Sequence, residues 1–250
     1  MKVTVLGCGT SGGVPKVPKL WGDCDPENPK NRRSRASILI ETAQKKVVID
    51  TTPDFRAQML AAKVGRLDAV FYTHDHADHV HGIDDIRGYF HKQQSQIPLY
   101  SDMSTLKAIE ARFDYIFTDK GGYPAIGRAC VIDGPTTLGD LTILPFEQGH
   151  GSGTSLGYRF GNIAYSTDLD RMTEAGYEAL DGVEVWIVDA LRYRPHPTHA
   201  HLAKTLEWIN RVRPERAILT HMNWDMDYET LKSELPTGVE PAFDGMTVTV

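Results

Sequence analysis

Residues 73–82 read Thr-His-Asp-His-Ala-Asp-His-Val-His-Gly, and these ten positions hold four of the ten histidines in a 250-residue chain. Three of them, with one aspartate, follow the pattern His-x-His-x-Asp-His. The apolar run Ala69–Tyr72 in front of it reads as a strand, so the pattern begins in a loop at the strand's end. In an extended loop, residues two apart project to the same side. His74 and His76 can therefore grip one metal ion, while Asp78 and His79 lie where a helix starts and can address a second. A solvated polar loop would also be rich in such residues, but it has no need of this spacing. Neutral imidazole with carboxylate suits zinc, manganese or iron and poorly suits calcium or magnesium.

Four ligands leave two metal sites incomplete, and the rest of the chain offers more, each just beyond a strand. His150 follows the apolar run Leu141–Leu144, Asp168 follows Ile163–Ser166, and His221 follows Ala217–Leu219. Taken singly, each reads as a solvated loop residue; their shared placement at strand ends makes them a set.

Further strands are expected at Val3–Leu6, Ser37–Glu41, Lys46–Ile49, Leu156–Phe160, Val185–Val188 and Thr247–Val250. Helical periodicity marks Asp54–Ala62, Thr105–Phe113, Met172–Leu180 and Leu202–Val212. No repeat, low-complexity run or linker divides the chain, so the pattern predicts one α/β domain with two strand-rich halves facing each other. Between Gly12 and Arg35 lies an irregular segment with four prolines and the basic run Asn31-Arg-Arg-Ser-Arg35; such segments are usually functional or disordered.

Composition narrows the class. A formal net charge of −6 argues against a surface that coats nucleic acid or hugs a membrane. No apolar run approaches the ~20 residues a membrane span needs. Cys8, Cys24 and Cys130 are too few for a disulfide framework, and the N-terminus turns glycine-rich too early for a signal peptide. A cytoplasmic protein is expected, with a homodimer open to it. Gly7-Cys-Gly-Thr-Ser-Gly12 matches the dinucleotide fingerprint letter for letter, but that fingerprint needs a helix to open there. Val14, Pro15, Val17 and Pro18 follow instead, which argues against the reading.

The set THDHADH, His150, Asp168 and His221, in this order and covering nearly the whole chain, resembles the metallo-β-lactamase-fold hydrolases. The resemblance implies a four-layer αββα sandwich spanning residues 1–250, with two divalent ions, Zn²⁺ or Mn²⁺, at one edge of the sheets. It implies His74, His76 and His150 on one ion, Asp78, His79 and His221 on the other, and Asp168 between them. Fold and metals follow strongly from such motifs and substrate only weakly, because one fold hosts many hydrolyses. The stretches GCGTSGGVP, NRRSRAS, VIDTTPD and FDGM are similar to the branch containing the phosphodiesterase of the carbon–phosphorus lyase pathway, which acts on cyclic ribosyl phosphates. In that branch Asp50 braces the histidine loop. Transfer-RNA 3′-end ribonucleases are more distant relatives. Members of the branch hold a structural zinc with a cysteine cluster and a histidine just after the last metal ligand; here Cys24 stands alone and Met-Asn-Trp-Asp follows His221, so that zinc is expected to be absent.

The resemblance also suggests the catalytic residues. Ribonuclease relatives pair a carboxylate at a position like Asp189 with a histidine matching His199. His199 is therefore expected as general acid with Asp189 orienting it, and His201 as the reserve at the substrate; Asp78 joins the catalytic set through the metals. Arg32, Arg33 and Arg35 can grip phosphate oxygens bidentately, or form a solvated loop paired with Asp23, Asp25 and Glu27. His81 can orient a ligand, whereas His91 reads as surface. The expected substrate is a small phosphate compound, nucleotide-like or cyclic, with a nucleoside monophosphate as product mimic and no long nucleic acid. Thioester or lactone hydrolysis on the same metals, and a non-catalytic member of the fold, are the competing classes.

Overall fold

Successive residues of a strand face opposite sides of its sheet, and the strands near the N-terminus are apolar on both. In Ser37–Glu41, Ile38 and Ile40 enter one core and Leu39 enters another; in Lys46–Ile49, Val47 and Ile49 divide from Val48 in the same way. Such strands must be covered on both faces. The larger core, which also takes Tyr158, Trp186 and Ile218, lies between two sheets, and the smaller one lies between the first sheet and its own helices. The computed structural model describes residues 1–250 and shows one α/β domain of two sheets flanked by helices, the layering expected from sequence.

The first sheet runs, in spatial order, Thr247–Thr249, Lys2–Gly7, Ser37–Glu41, Lys46–Ile49, Ala69–Phe71, Ile97–Ser101 and Gly127–Val131. The second runs Arg171–Met172, Leu141–His150, Gly153–Phe160, Ile163–Ser166, Val185–Asp189, Arg216–Thr220 and Val239–Pro241, with Thr136–Leu138 beside Leu141–His150. Ile163–Ser166, Val185–Asp189 and Arg216–Thr220 are parallel neighbours, in register Ser166 to Val188 to Leu219. Their C-terminal ends therefore open at one edge, and open α/β sheets bind ligands beyond such ends.

The expected strand Leu141–Leu144 continues to His150. Pro145 does not stop it. The strand pairs with Gly153–Phe160 along its length, and its other side meets Thr136–Leu138 and Arg171–Met172 on either side of Pro145. The missing N–H costs the ladder nothing at that gap. Leu202–Val212 is a helix with the expected bounds, ended by Arg213 in a left-handed conformation (φ +57°). Met103–Arg112 begins two residues before its expected start because Asp102 caps it, accepting from the N–H groups of Ser104 and Thr105 at 2.8 and 3.0 Å.

Gly7 and Gly9 lead into no helix. A Cβ on Gly7 would stand 2.1 Å from the Arg35 carbonyl oxygen, and one on Gly9 would stand 2.8 Å from that of Arg33. These glycines let the Arg33–Arg35 backbone lie against the first strand's end.

Candidate metal centre

Four segments meet at this edge. Ala69–Phe71 delivers His74 and His76, and the short helix Ala77–Val80 presents Asp78 and His79. His150 ends its strand, Asp168 lies two residues past Ser166, and His221 follows Thr220. Asp168 and His221 have φ of +53° and +57°, a region non-glycine residues adopt uncommonly and one that recurs at functional sites as well as at helix ends.

The seven residues form two groups that share Asp168: His74, His76, His150 and Asp168, then Asp78, His79, Asp168 and His221. The two carboxylate oxygens of Asp168 divide between them. Its Oδ2 faces Nε2 of His74 at 3.6 Å and of His150 at 3.8 Å, while its Oδ1 faces Nε2 of His79 at 3.2 Å and of His221 at 3.3 Å. Asp78 Oδ2 completes the second group, 3.4 Å from His79 Nε2 and 3.7 Å from His221 Nε2.

The donor set fits divalent cations. Nε2 of His74, His79 and His221 is buried and has no hydrogen-bond partner, a costly state for a polar atom unless a cation takes the lone pair. Burial opposes ionisation of Asp168, yet the imidazoles of His221, His79 and His74 hold its carboxyl well below the usual range. Burial likewise opposes charge on His79 and His221, but the surrounding carboxylates raise both, His221 to about 9. The centre thus concentrates negative charge that positive charge must balance. Imidazole nitrogen with carboxylate oxygen is the donor chemistry of zinc and manganese rather than of calcium.

A second ring of contacts fixes the imidazoles. His79 Nδ1 lies 2.7 Å from Asp50 Oδ2, and Asp50 also accepts from Thr73 N and Thr73 Oγ1, both at 2.9 Å. With its hydroxyl proton committed to Asp50, Thr73 accepts from His74 Nδ1 at 3.0 Å. His150 Nδ1 donates to the carbonyl of Thr198 at 2.8 Å. Each contact leaves the other ring nitrogen, where it faces the centre, free to bind metal. Asp50 was legible through the resemblance. The role of Thr73 has no signal beyond its place next to the histidine pattern, and a main-chain carbonyl such as that of Thr198 has no sequence signal at all.

His199 joins the centre. Its Nδ1 lies 3.2 Å from Asp189 Oδ2 and its Nε2 lies 3.9 Å from Asp168 Oδ2. Its ring stacks on that of His221 with centroids 5.0 Å apart. His201 does not join: it precedes helix Leu202–Val212 and its backbone pairs with Arg192. His81 is exposed against Phe113, and His91 lies on a separate helix, Arg87–Gln93.

The three arginines expected at a phosphate stand elsewhere. Arg33 is only 2% exposed; it donates to the carbonyls of Asn223 at 3.0 Å and Met226 at 2.6 Å, with Cys24 Sγ 3.9 Å away. This guanidinium ties the Cys24 loop to the segment after His221, the two places where the resembling branch carries its structural zinc. Arg35 binds both oxygens of Asp54 at 3.0 Å, and Arg32 lies over Trp21 at 4.9 Å. Burial and intramolecular partners consume two of the three. None lines the cavity of about 580 Å³ at the centre, whose walls are His74, His76, His150 and His199 with Ser104, Thr105, Ser152 and Thr198 among its polar residues. No hydrophobic side chain lines it.

Comparison with known proteins agrees with this fold. Residues 45–222 match the beta-lactamase superfamily domain. A crystal structure of a diphosphatase from the PhnP family superposes with a TM-score of 0.92 at 34% identity, covering 100% of this chain and 97% of that one. The protein called octanoyltransferase in Porphyromonas gingivalis is 34% identical over 254 residues, covering 98% of this chain and 51% of that protein. Ribonuclease Z of Bradyrhizobium diazoefficiens is 29% identical over 159 residues, covering 59% of this chain and 51% of its own. The chain spans about half the length of the curated relatives it matches. On the domain match and the near-complete likeness to the diphosphatase, the chain belongs to the beta-lactamase superfamily and has the metallo-β-lactamase fold, beside the PhnP family.

Proposed function

We propose that the protein is a phosphodiesterase that works with two divalent ions, zinc or manganese, on small nucleotide-like or cyclic ribosyl phosphates. The observation that carries this reading is Asp168, whose two oxygens serve two ligand groups while His199, backed by Asp189, faces the same carboxylate. His74, His76 and His150 would hold one ion, Asp78, His79 and His221 the other, with Asp168 between. Bound there, such a pair withdraws charge from phosphoryl oxygens and makes water acidic enough to attack near neutral pH.

The chain's own residues supply the rest. Water adds to phosphorus and the bond to the leaving oxygen breaks, so that oxygen needs a proton. His199 Nε2 points toward the centre and can give it, while Asp189 Oδ2 lies 3.2 Å from Nδ1 and orients the ring. Ser104, Thr105, Ser152 and Thr198 offer hydroxyls to the substrate's sugar. With no Phe, Tyr or Trp in the wall and its imidazoles turned to the metal centre, a nucleoside monophosphate would bind as product chiefly through phosphate and sugar. The name of the Porphyromonas gingivalis relative concerns octanoyl transfer, but a cavity without a hydrophobic wall offers an octanoyl chain nothing to lie on. The neighbours described as diphosphatase and ribonuclease support phosphorus chemistry instead.

A hydrolysis panel after loading with Zn²⁺ or Mn²⁺ tests the proposal. Phosphodiesters should turn over far faster than thioesters, lactones or β-lactams. His199→Ala should slow an alkyl diester by ~10²–10⁴ and a nitrophenyl diester much less, because nitrophenolate leaves without protonation. Rapid thioester turnover with no measurable diesterase activity would overturn the proposal.

A further inference from the structure

The segment between Ala190 and Leu202 carries His196 and His199 and has no regular secondary structure. Main-chain bonds hold its ends: Leu191 N to the Ala200 carbonyl at 3.0 Å, and Leu202 N to that of Arg192 at 2.9 Å. Its middle meets the first ligand group at one turn. The Thr198 carbonyl, one residue before His199, accepts from His150 Nδ1 at 2.8 Å. Beside it, Gly151 adopts φ +58°, and a Cβ placed there would stand 2.7 Å from Thr198 Cγ2. The His150 and His199 rings meet edge to face, with centroids 4.9 Å apart.

The tautomer of His150 connects these facts. A neutral imidazole carries one proton, so a lone pair on Nε2 toward the metal requires the hydrogen on Nδ1. That hydrogen lies against Thr198. We propose that the Thr198 carbonyl is a positioning group that couples the first metal site to the general acid. Filling the site selects the Nδ1–H tautomer of His150, which holds Thr198 and so sets the place of His199. In the reverse direction, a seated Thr198 strengthens His150 as a ligand, because outer partners orient the ring and raise its basicity. The coupling is reciprocal, as linkage requires.

The role of His199 in this proposal rests on the phosphodiesterase reading; the link between His150 and the segment does not. The test is Gly151→Ala in the metal-loaded protein, whose Cβ displaces Thr198. Three readouts apply: metal affinity by competition with a chelator, amide hydrogen exchange of residues 192–200 with and without metal, and the rate ratio of alkyl to nitrophenyl diester. Metal affinity should fall ~10-fold or more, and metal should no longer slow exchange in the segment. The alkyl diester should lose more rate than the nitrophenyl one. Adding Thr198→Ser removes the methyl that collides and should restore most of each. Gly161→Ala is the control: Gly161 has φ +55° with nothing within 4 Å of a Cβ, so it carries the same backbone strain away from Thr198.

The proposal is overturned if Gly151→Ala leaves affinity and exchange unchanged. It is equally overturned if Thr198→Ser gives no recovery, or if Gly161→Ala reproduces the losses. Should the diester ratio stay flat while affinity and exchange respond, the coupling stands and the assignment of His199 as general acid falls.

Discussion

Replacing Arg33 by alanine separates two roles for the same residue. In the structure its guanidinium is buried and donates to the carbonyls of Asn223 and Met226 at 3.0 and 2.6 Å. Each hydrogen bond from a charged donor contributes about 1.5–3 kcal/mol, and alanine leaves the buried Met226 carbonyl without a partner and the half-buried Asn223 carbonyl without its guanidinium. The vacated volume adds a cavity cost of about 1–2 kcal/mol. Burying a guanidinium is itself unfavourable, and Arg33 Nε has no partner, so removing the charge offsets part of the loss. The balance is a destabilisation of about 3–5 kcal/mol, a large share of a stability of about 5–15 kcal/mol. Arg33→Lys should lose about half as much, since one ammonium cannot span both carbonyls with the planar fork's geometry. Urea unfolding of the metal-loaded protein at pH 7 measures this, with chelator competition as a second readout because Asn223 lies two residues from His221. A phosphate-binding arginine would leave stability within about 1 kcal/mol of the parent and raise KM. That result would refute the structural role.

Asp168→Ala should abolish turnover and lower bound metal below the parent stoichiometry in elemental analysis; near-normal turnover with full metal content would refute the bridging role. Asp244 is a half-buried carboxyl that accepts from Ser34 N at 2.7 Å and Cys8 N at 3.1 Å, and its partial removal from water raises its pKa to about 6. The unfolded chain releases this proton near pH 3.9 and the folded one near 6, so the folded state binds more protons in between and stability falls as pH rises through that window. The loss is about 1.4 kcal/mol per unit, or about 3 kcal/mol in all. The difference between the unfolding free energies of the parent and Asp244→Asn, measured from pH 4 to 7, should therefore shrink or reverse as pH rises, and a difference independent of pH would refute the assignment.

Local chemistry and periodicity carried much of this protein. THDHADH places four candidate ligands, three histidines and an aspartate, within six residues, and the short helix that presents Asp78 and His79 needs no distant partner to make that pattern readable. Ser37–Glu41 and Lys46–Ile49 were visible because apolar β-branched residues fill both faces, and Leu202–Val212 because its apolar positions recur at helical spacing. Ile97–Ser101 and Gly127–Val131 went unread: Pro98 and Tyr100 alternate with buried residues in the one, and Gly127, Arg128 and Cys130 break the apolar signal in the other. Their strand character comes from pairing with neighbouring strands, which supply the hydrogen bonds that propensity does not foretell.

What only the tertiary structure decided is the use of each polar group. Arg32, Arg33 and Arg35 look alike in sequence, yet one lies over Trp21, one is buried on carbonyls about 190 residues away in the chain, and one is paired with Asp54. Likewise His199 and His201 stand two apart, and only His199 meets Asp189 and Asp168. A side chain's type sets which bonds it can make. Which bonds it does make depends on the groups that the fold brings within about 3 Å, the range of a hydrogen bond, and those come from segments that no local pattern connects.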